Sequence, residues 1–162
     1  MKKYACALTV VFLIFVADGR AANNRPPPES NAPCNVTVSQ GESYGNRLLS
    51  LFGLRPDGIV VFRPGGAGFI TSDGSLGMKF GWMRGVSGPL TITGHRLDGD
   101  ALPLRADIPG GYGEVGFQSS ALIFPTPGCW HVNAHVGDRA DSQLTFVTKV
   151  VKIGDGPAWR RD

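Results

Sequence analysis

The chain has 162 residues with 23 Gly, 12 Pro, 42% hydrophobic and 18% charged types, and a formal net charge of +3. That glycine and proline load excludes a coiled coil or helical bundle, because both types break helices, and the apolar fraction is too high for a disordered chain. The length suits one domain plus appendages.

The first segment reads as an address rather than a fold. Lys2 and Lys3 precede an apolar run of 14 residues, 4–17, which stops at Asp18. Gly19 and Ala21 are the small residues of a cleavage site ahead of Ala22. This is the layout of a secretory signal peptide over residues 1–21, too short for a membrane span, so no stable span is expected after cleavage. Removing it leaves 13 basic against 12 acidic residues, with no basic stripe for nucleic acid. The expected location is periplasmic or extracellular, with cell-surface association as one form of it.

Residues 22–33 are polar, carry four prolines and show no apolar period, as expected of an extended leader. Residues 34–153 form the expected β domain and 154–162 a flexible tail. Two cysteines remain after export, Cys34 and Cys129. In an oxidising compartment an even pair reads first as a disulfide, with free thiols or metal ligands as the alternatives. Asn35-Val36-Thr37 is a glycosylation sequon, which means little if the source is bacterial.

Within the domain, short strand-like runs alternate with turn chemistry. Residues 46–52 (NRLLSLF) could make two helical turns or a strand. Residues 59–63 (IVVFR) are β-branched and aromatic, and stop at Pro64-Gly65-Gly66-Ala67-Gly68. Phe69 to Thr71 follows, then a turn with Asp73-Gly74 at its centre, a hairpin signal. Met78, Phe80 and Trp82 alternate with Lys79, Gly81 and Met83. Leu90 and Ile92 alternate with Thr91, Thr93 and His95. Further strands are expected over 118–124, 130–136 and 143–153. Turns every 8 to 12 residues or so indicate an all-β sandwich or barrel.

The most readable strand is 130–136. Its period of two puts Trp130, Val132, Ala134 and Val136 on a core face, and His131, Asn133 and His135 on the other. Cys129 belongs to the outward set or the strand's lip. A bridge to Cys34 would then be a clasp on an edge or rim, not a tie through the core.

The stretch from Pro127 to Asp138 (PGCWHVNAHVGD) resembles the Pro-Gly-x-Trp-x-Val-x-Ala-x-Val-Gly hairpin of bacterial immunoglobulin-like domains. Residues 57–153, which include Pro64-Gly65-Gly66, Leu76-Gly77-Met78-Lys79-Phe80-Gly81-Trp82 and Phe124-Pro125-Thr126, resemble a group of uncharacterised exported bacterial proteins. The resemblance implies an immunoglobulin-like β-sandwich and brings no catalytic or binding residues. It differs from antibody domains in lacking their Cys…Trp…Cys spacing.

Candidate sites are few. On one strand, His131 and His135 would stand about 13 Å apart at roughly 3.3 Å per residue, too far to share one metal ion. His95 also faces the polar side of its strand, so a copper or zinc site from His95, His131 and His135 is the alternative to three solvated imidazoles. Gly65 to Gly68 leads into a strand rather than a helix, unlike a phosphate loop. Ser119 and Ser120 lack a nucleophile elbow, and Asp98 and Asp100 flank Gly99 as turn residues. No catalytic residue, metal or cofactor is assigned. The glycine-rich run 109–117 presents Tyr112 and Phe117, either as a recognition surface or, as expected first, folded over an open end of the sandwich. The sequence thus reads as a non-enzymatic binding or scaffolding module for an envelope or extracellular protein or glycan, with periplasmic metal handling as the alternative.

Overall fold

A computed structural model describes residues 33–154. The segment expected to be a signal peptide, most of the expected leader and nearly all of the expected tail lie outside the described residues. The described chain is all-β, with one short 3-10 turn at Ala140–Ser142. Its strands are β1 (Ser43–Gly45), β2 (Leu49–Phe52), β3 (Ile59–Phe62), β4 (Phe69–Ile70), β5 (Leu76–Arg84), β6 (Leu90–Arg96), β7 (Arg105–Asp107), β8 (Gly116–Phe124), β9 (Gly128–Val136) and β10 (Leu144–Lys152).

Two sheets result. One runs β1-β2-β5-β8-β7, with β4 also on β5; the other runs β3-β10-β9-β6. All pairs are antiparallel except β3 with β10. The inward sets of the two layers make one apolar cluster, in which Phe80 of β5 meets Phe146 of β10 and Phe124 of β8 meets Trp130 of β9 edge-on. Trp82 and Trp130 are fully buried, and each indole N–H is satisfied, by Ser120 Oγ at 2.8 Å and by the Thr126 carbonyl at 3.1 Å. Such pairing removes the cost of burying a donor.

Residues 46–52 adopt the strand alternative. The Asn46 side-chain oxygen accepts from the Leu48 and Leu49 amides and closes a turn, after which Leu49 and Leu51, two apart, both point inward as a strand requires. The Asp73-Gly74 turn forms as expected: Gly74 takes φ +84°, and Asp73 Oδ1 accepts from the Ser75 amide at 3.0 Å and from the Thr71 hydroxyl. β1 and β7 were not foreseen. Each has three residues with no apolar alternation, and each is placed by its partner strand.

Cys34 and Cys129 are bonded, with Cα atoms 5.5 Å apart and a sequence separation of 95. Thr37 lies beside β10 on the side where β3 begins: its N–H donates to the Val147 carbonyl at 2.8 Å, and its hydroxyl accepts from the Val147 amide at 2.9 Å. β9 lies on the other side of β10. The leading segment therefore crosses the outer face of β10 to reach Cys129. The bridge is a clasp outside the core, although Cys129, only 2% exposed, is covered by it.

Candidate functional site

Three places were singled out from the sequence, and the structure treats them differently. In β9, Trp130, Val132, Ala134 and Val136 are all fully buried, which turns His131, Asn133 and His135 outward. The β6–β9 register then sets His95 directly across from His131. Their ring centroids are 4.9 Å apart with planes inclined by 34°. The imidazoles are therefore a contacting pair rather than separately solvated rings. On its other side His131 faces Val147 of β10, so no acid lies directly opposite it on either neighbouring strand.

That environment favours the uncharged form of His131. Burial lowers the His131 pKa from its ordinary value, and the nearby His95 lowers it further, because two cations this close repel. His131 is thus held neutral with a lone pair available, as a metal ligand must be. His135 does not join. It stands across from Thr91 and lines a shallow open hollow of about 310 Å³ with Asn133, Asp138 and Gln143. Among the described residues no group of three or more His, Cys, Asp or Glu is placed to hold a metal ion. The structure thus brings together two of the three histidines of the alternative metal reading, His95 and His131.

Tyr112 and Phe117 do not fold over an open end of the molecule. Gln118 and Ser120 point inward from β8, which sends Phe117 and Ser119 to the outer face of the larger sheet. The Tyr112 hydroxyl shares a hydrogen bond with Ser119 Oγ at 2.8 Å, and the two aromatic rings meet edge-on at 6.3 Å. Phe117 lies over Gly81 of β5, where a Cβ would stand 2.7 Å from its ring; Phe52 of β2 is on the glycine's other side. The same device recurs four residues earlier in β5, with Phe69 over Gly77. Gly77 and Gly81 of β5 thus make room for aromatic rings from neighbouring strands. Phe117 remains 52% exposed, with Met83 at 40% and Val115 at 54% beside it in register or in the adjoining loop.

Arg84 holds this loop in place, and sequence reasoning passed over it. It points inward at the end of β5, is 6% exposed, and donates to the Gly88 carbonyl at 3.0 Å and to the Gly113 carbonyl. Only its place in the inward set of the Met78–Phe80–Trp82 alternation could have marked it. At the opposite end of the molecule the turn residues form an ion pair: Arg96 Nε and Asp98 Oδ1 are 2.7 Å apart. Burial opposes ionisation of Asp98, yet the bonds from Arg96 and the Cys129 backbone hold its pKa below the ordinary value. The pair passes across Gly128, whose φ of +144° and lack of Cβ admit it. Asp98 is therefore occupied in structure.

No helix of the described residues is long and apolar enough to cross a membrane. No family model matches the chain, and the search of curated proteins finds no match.

Proposed function

We propose that this is an exported, non-catalytic binding module that engages an envelope or extracellular protein or glycan through the aromatic outer face of its larger sheet. The observation that carries the reading is the exposed Tyr112–Phe117 pair, with Phe117 seated over Gly81 and flanked by Met83 and Val115. Aromatic side chains that are rigid yet solvent-facing supply large contact area at low entropic cost, which is why they dominate recognition surfaces. Strand order supports an immunoglobulin-like sandwich. With β2, β5, β6, β7, β8, β9 and β10 taken as A to G, the sheets read A-B-E-D and C-F-G, and β3 adds to the free edge of G. The departure from antibody domains is that the buried Trp82 and Trp130 sit on B and F and the disulfide lies outside the core.

The test compares wild type with the Tyr112→Ala/Phe117→Ala double variant in capture from an envelope fraction and on immobilised polysaccharides. Both side chains are partly exposed, so the variant keeps its fold. A ligand retained by wild type and lost by the variant supports the reading, and identical capture overturns it. Export is tested separately, by finding Ala22 as the N-terminus of the secreted protein.

A second reading, periplasmic metal handling, is favoured by one observation: the contact of His95 with His131. Two imidazoles on adjacent strands suit Cu(II) better than other divalent ions. Calorimetric titration with Cu(II) and Zn(II) decides it. Binding weaker than millimolar for both, or binding unchanged in His131→Ala, removes the idea.

A further inference from the structure

Along one side of the molecule the two sheets leave a cleft of about 600 Å³. One wall is β3, the edge strand of the smaller sheet; the other includes Met78 and Lys79 of β5. Ile59, Val60 and Val61 all line the cleft, although successive side chains of a strand point to opposite faces. Consecutive residues share only their backbone edge, so that edge is the wall.

Hydrogen bonding identifies the groups on it. The Lys149 amide donates to the Gly58 carbonyl at 3.1 Å and the Ile153 amide to the Phe62 carbonyl at 2.7 Å, so the even-numbered residues here face β10. The N–H and C=O of Val61 and the C=O of Ile59 therefore point the other way, into the cleft; the Ile59 amide is taken by Asp57 Oδ1. Across the gap, β2 stops pairing with β5 at Gly81 and β4 pairs from Gly77, which leaves residues 78–80 with no strand alongside on that side. Two open backbone edges thus border one slot.

Its charge is of one sign. Arg55, Arg63 and Lys79 line it and no acidic residue does. Arg55 is engaged by Asp57 at 2.9 Å, whereas Arg63 and Lys79 have no ion-pair partner among the described residues.

We propose that the cleft is a β-augmentation site that takes an extended acidic peptide segment of a partner protein as an added strand on β3, its carboxylates meeting Arg63 and Lys79. An uncharged, β-branched edge without proline is the kind of edge that templates another strand, and the main-chain bonds supply affinity while flanking side chains set specificity. A second copy of this chain would bring a second Arg63 and Lys79 against the first. The chain's own segment 155–162 carries Arg160 and Arg161 against Asp155 and Asp162 and so offers no net negative charge, and residues 22–33 carry four prolines, which cannot donate to a ladder. The site uses none of the aromatic-face residues and stands or falls separately from that reading.

The experiment measures, by fluorescence anisotropy on the full chain, binding of a capped Asp-Val-Glu-Val-Asp-Thr peptide and of its Lys-Val-Lys-Val-Lys-Thr counterpart. The acidic peptide is expected to bind at least tenfold tighter, with that affinity falling as salt rises. Val61→Pro, which removes the central donor, should weaken it at least tenfold. Arg63→Glu/Lys79→Glu, at two exposed positions, should reverse the preference, and it decides the matter alone if circular dichroism shows Val61→Pro unfolded. Absence of acidic-peptide binding, equal binding of both peptides, or an unchanged preference after charge reversal overturns the proposal. A wild-type dimer that the charge reversal leaves intact and folded Val61→Pro dissolves also overturns it, by giving the edge to a second copy.

Discussion

Trp130 and His131 are adjacent in sequence and opposite in fate. Trp130 is fully buried against Phe124, with its N–H bonded to the Thr126 carbonyl, so Trp130→Ala opens a cavity and orphans an acceptor. A cost of about 3–5 kcal/mol is expected from denaturant unfolding. His131→Ala removes a half-buried ring from the outer face and should cost well under that; comparable losses would mean that β9 faces the other way. Protonation gives a second measurement at the same residue. Because the folded-state pKa of His131 lies below its ordinary value of about 6.5, the unfolded chain binds its proton first. Its contribution to stability is full above about pH 6.5 and is lost as pH falls through the folded value. Asp57, Asp73, Asp98 and Asp141 also sit below their ordinary carboxylate value, and act only in more acid solution. A fall in melting temperature between about pH 6.5 and 5 that His131→Gln flattens is the expected result, and an identical slope in the variant would contradict it.

At the scale of single strands, β9 was legible from Gly128 to Val136 because its alternation is complete: one face apolar, the other polar. β2 was ambiguous because Leu48, Leu49, Leu51 and Phe52 satisfy a helical stripe and a strand equally, and only the Asn46 turn and the neighbouring β5 decide between them. β1 and β7 were illegible, since an edge strand of three residues with no apolar pattern is defined by what it pairs with. In β5 the glycines were visible but not their purpose, which depends on aromatic rings arriving from β4 and β8. That purpose yields a graded prediction. A Cβ at Gly77 collides with the half-buried ring of Phe69, which has little room to retreat, whereas one at Gly81 meets the solvent-facing end of Phe117. Gly77→Ala should cost about 1–3 kcal/mol by overpacking and Gly81→Ala less, as read from denaturant midpoints. Equal costs would argue that Phe117 is as tightly held as Phe69.

For the molecule as a whole, what was readable depended on whether an argument needed the register between distant strands. The Cys34–Cys129 bond did not: compartment and an even cysteine count sufficed. The His95–His131 contact did, because it follows from how β6 lies on β9, and periodicity within either strand says nothing about that. Sheet order likewise opened the slot between β3 and β5, which no local pattern marks. The disulfide then acts at the scale of the whole chain. Closing 95 positions of sequence restricts the unfolded ensemble, and its loss, by Cys34→Ser/Cys129→Ser, should cost about 2–5 kcal/mol. Because the bridge lies outside the core, folded-state packing should change little, and the near-ultraviolet signal of the buried Trp82 and Trp130 should be preserved. The local effect should instead be at Thr37, whose bonds to Val147 depend on the leading segment being held across β10. Hydrogen exchange at the Val147 amide should therefore accelerate in the folded variant more than exchange at the β5–β8 ladder. Uniform acceleration across both sheets would instead mean that the bridge acts only through global stability and that the clasp has no local hold on β10.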